Sequence, residues 1–181
     1  METNLCVAGF GGQGVMTLGK FLASATCDST DKNVTFFPSY GAEQRGGTAN
    51  CFVVISDETI GAPLGDVMDD LIVMNGPSLQ KFLPTLKAGG TLFINSSIVK
   101  DEISRDDIKL VKAPVTELAL ELGNAKVLNV IMLGVYVGCS EVVSPEVVWD
   151  TIEHKLGSKP KLLPLNKTAF EKGLEIGRSQ R

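Results

Sequence analysis

The sequence is short of the residues that most metal sites and many catalytic sites need. It has a single histidine, His154, and its four cysteines, Cys6, Cys27, Cys51 and Cys139, form no C-x-x-C pair. Structural zinc and iron–sulfur clusters usually need clustered thiols or histidines. We therefore expect this chain to hold no metal. We interpret the cysteines that lie in apolar runs as buried free thiols in a reducing compartment.

An excess of basic charge and a long apolar run are also missing. The 181 residues carry a formal net charge of −4, and no basic run occurs outside the last few residues. Nucleic-acid binding is therefore not expected. The longest apolar stretch, 127–139, is shorter than the roughly 20 residues that cross a bilayer, and the first residues show no signal-peptide pattern. We expect a cytoplasmic protein without a membrane span.

Short apolar runs alternate with helical periodicity over the first two thirds of the chain. The patterns predict strands over 5–10, 34–37, 49–56, 69–74, 91–95 and 108–112, and helices over 13–25, 76–87, 115–122, 127–139, 145–156 and 166–177. Such alternation is typical of an α/β fold. We predict a single domain over 1–181 with a Rossmann-like, three-layer α/β/α architecture. Its sheet is mostly parallel with room for antiparallel pairing, and its C-terminal third is mainly helical.

A glycine cluster directly follows the first predicted strand. Gly9, Gly11 and Gly14 fit the spacing G-x-G-x-x-G, and Gly12 and Gln13 lie between them. A tight turn of this kind brings backbone N–H groups close to a ligand above the helix N-terminus, which suits an anion. The alternative is a tight strand–helix turn without a ligand, because short glycine patterns also arise by chance.

A second glycine-rich segment follows the second predicted strand. Its candidate binding residues are Ser39, Tyr40, Gly41, Glu43, Gln44, Arg45, Gly46 and Gly47. Ligands of open α/β sheets bind at the carboxyl ends of the strands, so we expect this loop to lie at the same edge as the glycine turn. Arg45 and the neighbouring backbone N–H groups could then reach a phosphate or carboxylate. An ordinary surface loop is the alternative.

Two common nucleotide sites and a catalytic triad do not fit the sequence. A dinucleotide site needs an acidic residue at the end of the second strand, where this chain has Phe36–Ser39. The Walker pattern needs Gly-Lys-Ser/Thr after the glycine turn, and it is absent. His154 lies in a largely charged predicted helix and is interpreted as a surface residue. Asp69-Asp70 and Asp106-Asp107 are interpreted as solvated turn residues, so we assign no catalytic residue.

In combination, the motifs resemble those of the gamma subunit of 2-oxoacid:ferredoxin (acceptor) oxidoreductases. The pair formed by Gly9–Gly14 and Ser39–Gly47, in this order and at this spacing, carries the resemblance. Three further stretches add to the resemblance: Asp69–Val73, the pair Gly89–Gly90, and Asn129–Gly134 within the predicted helix 127–139. The pair Gly89–Gly90 is interpreted as a turn that ends the preceding predicted helix. The resemblance extends over nearly the full length of the chain.

The resemblance implies an enzyme that oxidatively decarboxylates a 2-oxoacid with coenzyme A, giving an acyl-CoA, carbon dioxide and reduced ferredoxin or a similar acceptor. It implies partner subunits of alpha, beta and ferredoxin-like delta type, which carry thiamine diphosphate and iron–sulfur clusters. It also implies that the gamma chain itself binds no cofactor tightly and helps to hold coenzyme A at the two glycine-rich segments. We expect 2-oxoglutarate as the substrate, with pyruvate, branched-chain 2-oxoacids and indolepyruvate as alternatives.

Two other functional classes stay open at the level of the residues. One is a standalone nucleotide-binding or regulatory module that uses the glycine turn. The other is a scaffold whose two glycine-rich segments make subunit contacts and hold no ligand.

Overall fold

A computed structural model of the chain describes residues 1–39 and 48–181. Within these residues six strands form one sheet: β1 (Glu2–Phe10), β2 (Asn33–Ser39), β3 (Thr48–Ser56), β4 (Met68–Val73), β5 (Leu86–Asn95) and β6 (Lys109–Ala113). Their spatial order is β2-β3-β1-β4-β5-β6. Strands β1, β4, β5 and β6 are parallel, and β3 runs antiparallel to both of its neighbours, β1 and β2. The predicted α/β fold with some antiparallel pairing is confirmed.

The described part of the chain contains six α-helices: α1 (Val15–Ser29), α2 (Gly76–Phe82), α3 (Val115–Glu121), α4 (Leu128–Ser140), α5 (Pro145–Lys155) and α6 (Leu163–Ser179). Ser144 is the N-cap of α5, and its hydroxyl accepts the N–H of Val147. Helix α2 ends well before its predicted end at 87, because Pro84 cannot continue an α-helix. None of these helices combines the length and the apolar character that crossing a bilayer requires.

The helices cover the two faces of the sheet unequally. Helices α1, α3, α4, α5 and α6 pack on one face, around a large core that includes Val7, Leu22 and Ile131. On the other face, α2 and the segment 96–108 cover a smaller core that includes Cys6 and Leu71. The result is a three-layer arrangement in which most of the buried apolar surface lies on the face of α1 and α4.

The glycine pair predicted to end the second helix lies inside β5 instead. Gly89 has a φ of 77°, a left-handed conformation that favours glycine. Gly90 lies so close to β4 that a Cβ atom there would be 2.8 Å from the carbonyl oxygen of Asp69. The register of β5 with β4 shifts at this place. The prediction of a turn was wrong, because a glycine pair marks a β-bulge as readily as a helix end.

Helices α4 and α6 approach each other through glycines. Gly134 and Gly138 of α4 face Gly173 and Gly177 of α6, so that backbone lies against backbone. A Cβ atom on Gly173 would overlap the carbonyl oxygen of Ile131. The close approach of the two backbones therefore needs glycines on both helices.

Replacement of Gly173 by alanine should lower the free energy of unfolding by about 2–4 kcal/mol, because the two helix backbones would have to separate. This loss should occur even though alanine favours an isolated helix by about 1 kcal/mol over glycine. Urea unfolding of the purified chain measures it. Gly61→Ala is the control, because a Cβ atom there meets nothing within 4 Å. Equal effects of the two substitutions would contradict the prediction.

Candidate functional site

The helices that follow the neighbouring parallel strands β1 and β4 pack on opposite faces of the sheet. Strand β1 leads into α1, which packs on the large core, and β4 leads into α2, which packs on the small one. Ligands of open α/β sheets bind outside the carboxyl ends of the strands at such a change of direction. Two turns flank this point: the glycine turn, Gly9–Gly14, and the segment Met74–Ser78 at the start of α2.

The four glycines of the glycine turn have different surroundings. Gly9 is buried, and a Cβ atom on it would be 2.8 Å from the Cβ of Met74. Gly14 has a φ of 72° and forms the N-cap of α1. Gly11 and Gly12 are exposed, a Cβ atom on either would meet nothing within 4 Å, and Gly12 has a φ of 91°. The turn is therefore packed at its two ends and open to solvent in its middle.

The N-terminus of α1 begins directly after the glycine turn. Among the described residues no side chain caps this helix end, and its first turn contains no acidic residue. The first N–H groups of a helix have no intrahelical partner, and the helix dipole makes this end positive. The arrangement therefore has the chemistry to hold a phosphate or a carboxylate with backbone groups.

The carboxamide of Gln13 connects the glycine turn to the segment that follows β4, through hydrogen bonds of both its oxygen and its nitrogen. Its Oε1 accepts the N–H of Phe10 at 2.7 Å, and its Nε2 donates to the carbonyl oxygen of Met74 at 3.1 Å. The N–H of Gln13 also donates to the carbonyl oxygen of Phe10, at 3.2 Å. The side chain predicted to contact a ligand thus makes two hydrogen bonds within the chain, to the ends of β1 and β4.

Asn129, in the first turn of α4, contacts the other end of the glycine turn. Its Nδ2 donates to the carbonyl oxygen of Gly14 at 3.3 Å, and its side chain is 7% exposed. It packs so closely on Gly14 that a Cβ atom there would be 2.9 Å from the Cβ of Asn129. The same carbonyl oxygen accepts the N–H of Leu18, the first hydrogen bond of α1. Gly14 is therefore held by the helix that it begins and by α4.

Ser39 and Thr48, at the two limits of the second predicted segment, lie at the same edge of the sheet as the glycine turn. Phe10 pairs with Thr48, and Ser39 pairs with Asn50 on β3. Ser39 is half-buried at the end of β2. The other candidate binding residues of this segment lie outside the described residues, and their contact with a ligand stays a prediction: Tyr40, Gly41, Glu43, Gln44, Arg45, Gly46 and Gly47.

Sequence reasoning missed two asparagines at this edge of the sheet. One is Asn129, and the other is Asn75, whose Oδ1 accepts the N–H of Ser78 at 2.8 Å. The signal for Asn75 was present, because an asparagine before Gly76-Pro77 matches the N-cap preference followed by a proline in the first turn. The signal for Asn129 was weaker: it is a single polar amide near the start of the most apolar predicted helix, where a polar residue indicates a specific contact.

The residue types that were scarce in the sequence do not converge on this edge. His154 is exposed on α5, as interpreted from the sequence. Cys6 and Cys51 are fully buried free thiols on opposite faces of the sheet, and burial raises the pKa of both, to about 12 for Cys51. In the described ranges, no three His, Cys, Asp or Glu side chains come together in a way that could hold a metal ion.

The carboxyl groups and the tyrosine whose pKa values are shifted lie toward the opposite edge of the sheet. The hydroxyl of Tyr136, fully buried on α4, donates to Oδ2 of Asp70 at 3.0 Å, and Asp69 pairs with Lys87. Asp69, Asp70 and Lys87 border a cavity of about 380 Å³ that Lys109 also lines. The interpretation of Asp69-Asp70 as solvated turn residues was wrong, because both belong to β4 and Asp70 points under α4.

The family described as pyruvate ferredoxin/flavodoxin oxidoreductase matches residues 4–176. Ketoisovalerate oxidoreductase subunit VorA of Methanothermobacter marburgensis is 35% identical over 178 residues, which are 98% of this chain but 37% of VorA. The chain thus spans little more than a third of that relative. 2-Oxoglutarate synthase subunit KorC of the same organism is 34% identical over 184 residues, covering 97% of both chains.

Solved structures agree in fold. The gamma subunit of a keto/oxoacid ferredoxin oxidoreductase from Geobacter sulfurreducens PCA superposes with a TM-score of 0.89 at 25% identity, covering 99% of this chain and 98% of that one. 2-Oxoglutarate:ferredoxin oxidoreductase from Magnetococcus marinus, with 2-oxoglutarate, coenzyme A and succinyl-CoA bound, gives a TM-score of 0.90 at 24% identity. This chain covers 32% of the Magnetococcus chain, and the likeness shows the fold alone.

The two neighbouring aspartates should give pH dependences of opposite sign. Burial raises the pKa of Asp70 above its usual value. The folded protein therefore binds this proton more tightly, and the stability that the protonated form contributes is lost as pH rises through the raised pKa. Asp70→Asn should remove this loss, so the variant gains stability relative to the natural protein as pH rises from about 4, near the unfolded pKa.

Asp69 is the matched control. Burial by itself would raise its pKa, but hydrogen bonds from Lys87 and Asn4 hold the pKa below its usual value. Its contribution is present above the unfolded pKa and is lost as pH falls through the folded pKa, so Asp69→Asn should cost stability mainly at neutral pH. Urea unfolding between pH 3 and pH 8 measures both. Parallel pH profiles for the two variants would contradict the assignment.

Proposed function

The chain belongs to the pyruvate ferredoxin/flavodoxin oxidoreductase family, and from this premise we propose that it works as the gamma subunit of a 2-oxoacid:ferredoxin oxidoreductase. Within such an enzyme its role is to hold coenzyme A and to contact the other subunits. The catalytic chemistry belongs to partner chains that carry thiamine diphosphate and iron–sulfur clusters. The relatives that match this chain along their whole length, such as KorC, support the assignment to the gamma position.

The observation that carries the ligand role is the open glycine turn before α1, whose N-terminus no side chain in 1–39 or 48–181 caps. Coenzyme A carries phosphates, and backbone N–H groups at a helix N-terminus are suited to bind them. The middle of the turn, at Gly11 and Gly12, is exposed and has no side chains that would keep a phosphate away. Such a site forms one wall for a ligand, and the remaining contacts come from other chains of the enzyme.

The relatives favour two substrate classes almost equally. VorA is a ketoisovalerate oxidoreductase subunit, KorC is a 2-oxoglutarate synthase subunit, and their identities to this chain differ by one percentage point. The relatives therefore do not single out 2-oxoglutarate, the expected substrate, over the branched-chain alternative. We propose that the enzyme oxidises 2-oxoglutarate or the branched-chain 2-oxoacid ketoisovalerate, and that the alpha and beta subunits decide between them.

Gly11→Glu should raise the KM for coenzyme A in the assembled enzyme by about fivefold to tenfold, because a carboxylate at the N-terminus of α1 repels a phosphate. The value of kcat should change little. Gly61→Glu is the control: Gly61 is likewise exposed with open space around it, and its substitution should leave the KM unchanged. An unchanged KM in Gly11→Glu, with intact assembly, would exclude the ligand role.

Purification of the tagged chain from its source cells should recover larger subunits with thiamine diphosphate and iron–sulfur clusters. The assembled enzyme should reduce ferredoxin with 2-oxoglutarate or ketoisovalerate in a reaction that needs coenzyme A. The ratio of kcat/KM between these two acids, with pyruvate as the third substrate tested, measures the preference. Recovery of the chain alone would contradict the subunit assignment and favour a standalone module.

A further inference from the structure

Two carboxamides hold the glycine turn from its two ends. Gln13 connects the turn to the end of β4 through the carbonyl oxygen of Met74, and Asn129 connects it to α4 through the carbonyl oxygen of Gly14. We propose that Gln13 and Asn129 are positioning residues, which fix the glycine turn in its ligand-binding conformation through hydrogen bonds within the chain. This inference rests on the proposed function of the turn as a binding site.

The hydrogen bonds of Gln13 carry the first half of the argument. Both polar atoms of its carboxamide are engaged within the chain, Oε1 with the N–H of Phe10 and Nε2 with the carbonyl oxygen of Met74. These two bonds fix the orientation of the carboxamide within the chain, although Nε2 keeps a second N–H and Oε1 a second lone pair. One bond of the side chain lies within the turn, and the other connects the turn to the end of the neighbouring strand β4.

The packing of Asn129 carries the second half. Its side chain is almost fully buried and lies against Gly14, which has a left-handed φ of 72°. The Nδ2 group donates to the carbonyl oxygen of Gly14, which also accepts the first hydrogen bond of α1. A buried amide at this place fixes the direction in which the chain enters α1. It thereby also fixes the direction of the N–H groups in the first turn of α1, which have no intrahelical partner.

The two residues leave the middle of the turn free. Gly11 and Gly12 are exposed, and a Cβ atom on either would meet nothing within 4 Å apart from its chain neighbours, whereas Gly9 and Gly14 are packed. A flexible glycine segment loses conformational entropy when it binds, and rigid ends reduce that loss. The two amides therefore improve binding by holding the glycine turn in one conformation before the ligand arrives.

The chain offers a matched control for each residue. Gln180 also uses both ends of its carboxamide on backbone groups, accepting the N–H of Lys112 at 3.0 Å and donating to the carbonyl oxygen of Lys112 at 2.8 Å. Asn166, 8% exposed, donates from Nδ2 to the carbonyl oxygen of Leu162 at 2.8 Å. Gln180 binds the outermost strand, β6, and Asn166 lies in α6.

Gln13→Met and Asn129→Ala in the assembled enzyme test the inference. Each should raise the KM for coenzyme A by about threefold to tenfold with kcat within twofold, since a lost hydrogen bond loosens the turn. Each should also speed amide hydrogen exchange in a peptide that spans 9–15. The controls Gln180→Met and Asn166→Ala should lower the melting temperature comparably and leave both the KM and this exchange unchanged.

Three results separate the alternatives. An unchanged KM in Gln13→Met and Asn129→Ala, while Gly11→Glu raises it, would overturn the positioning role and leave the proposed function intact. Equal KM increases in the two control variants would also overturn the positioning role, because general destabilisation would then account for the effect. If Gly11→Glu leaves the KM unchanged, the proposed ligand role fails, and with it the positioning inference that rests on it.

Discussion

The close contact of α4 with α6 is the constraint on which the candidate site depends. Four glycines allow the two helix backbones to touch, so α4 is buried along almost its whole length between the sheet and α6. This burial places the first turn of α4 against the glycine turn, where Asn129 reaches Gly14. It also places Tyr136 within hydrogen-bonding distance of Asp70 toward the opposite edge. One helix thus connects both polar regions of the fold.

The two edges of the sheet use different chemistry. Around the glycine turn, the described residues supply backbone N–H groups and the uncharged amides of Gln13 and Asn129, which suit a ligand that brings its own negative charge. Toward the amino ends, Asp70 lies in a partly buried carboxyl–phenol pair beside the Asp69–Lys87 ion pair. The carboxylates of Asp69 and Asp70 are thereby kept away from the glycine turn, the site proposed for a phosphate ligand.

Local patterns predicted the elements well and their ends less well. The periodicity of apolar residues indicated six strands and six helices, and all of them occur in the described part of the chain. The glycines at 89–90 were placed wrongly, because whether such a pair ends a helix or bulges a strand depends on the neighbouring strand β4. Asp70 was taken for a solvated residue, because nothing near it in the sequence shows that Tyr136 covers it.

The sequence by itself determined the order of the elements, the glycine turn and the family, because these depend on residues close together in the chain and on motif spacing. Only the tertiary structure decided which side chains hold that turn. Asn129 lies 115 residues from Gly14, and Met74 lies 61 residues from Gln13. Such contacts are formed when the sheet and α4 pack together, and hydrogen-bond partners at that separation leave no periodic trace in the sequence.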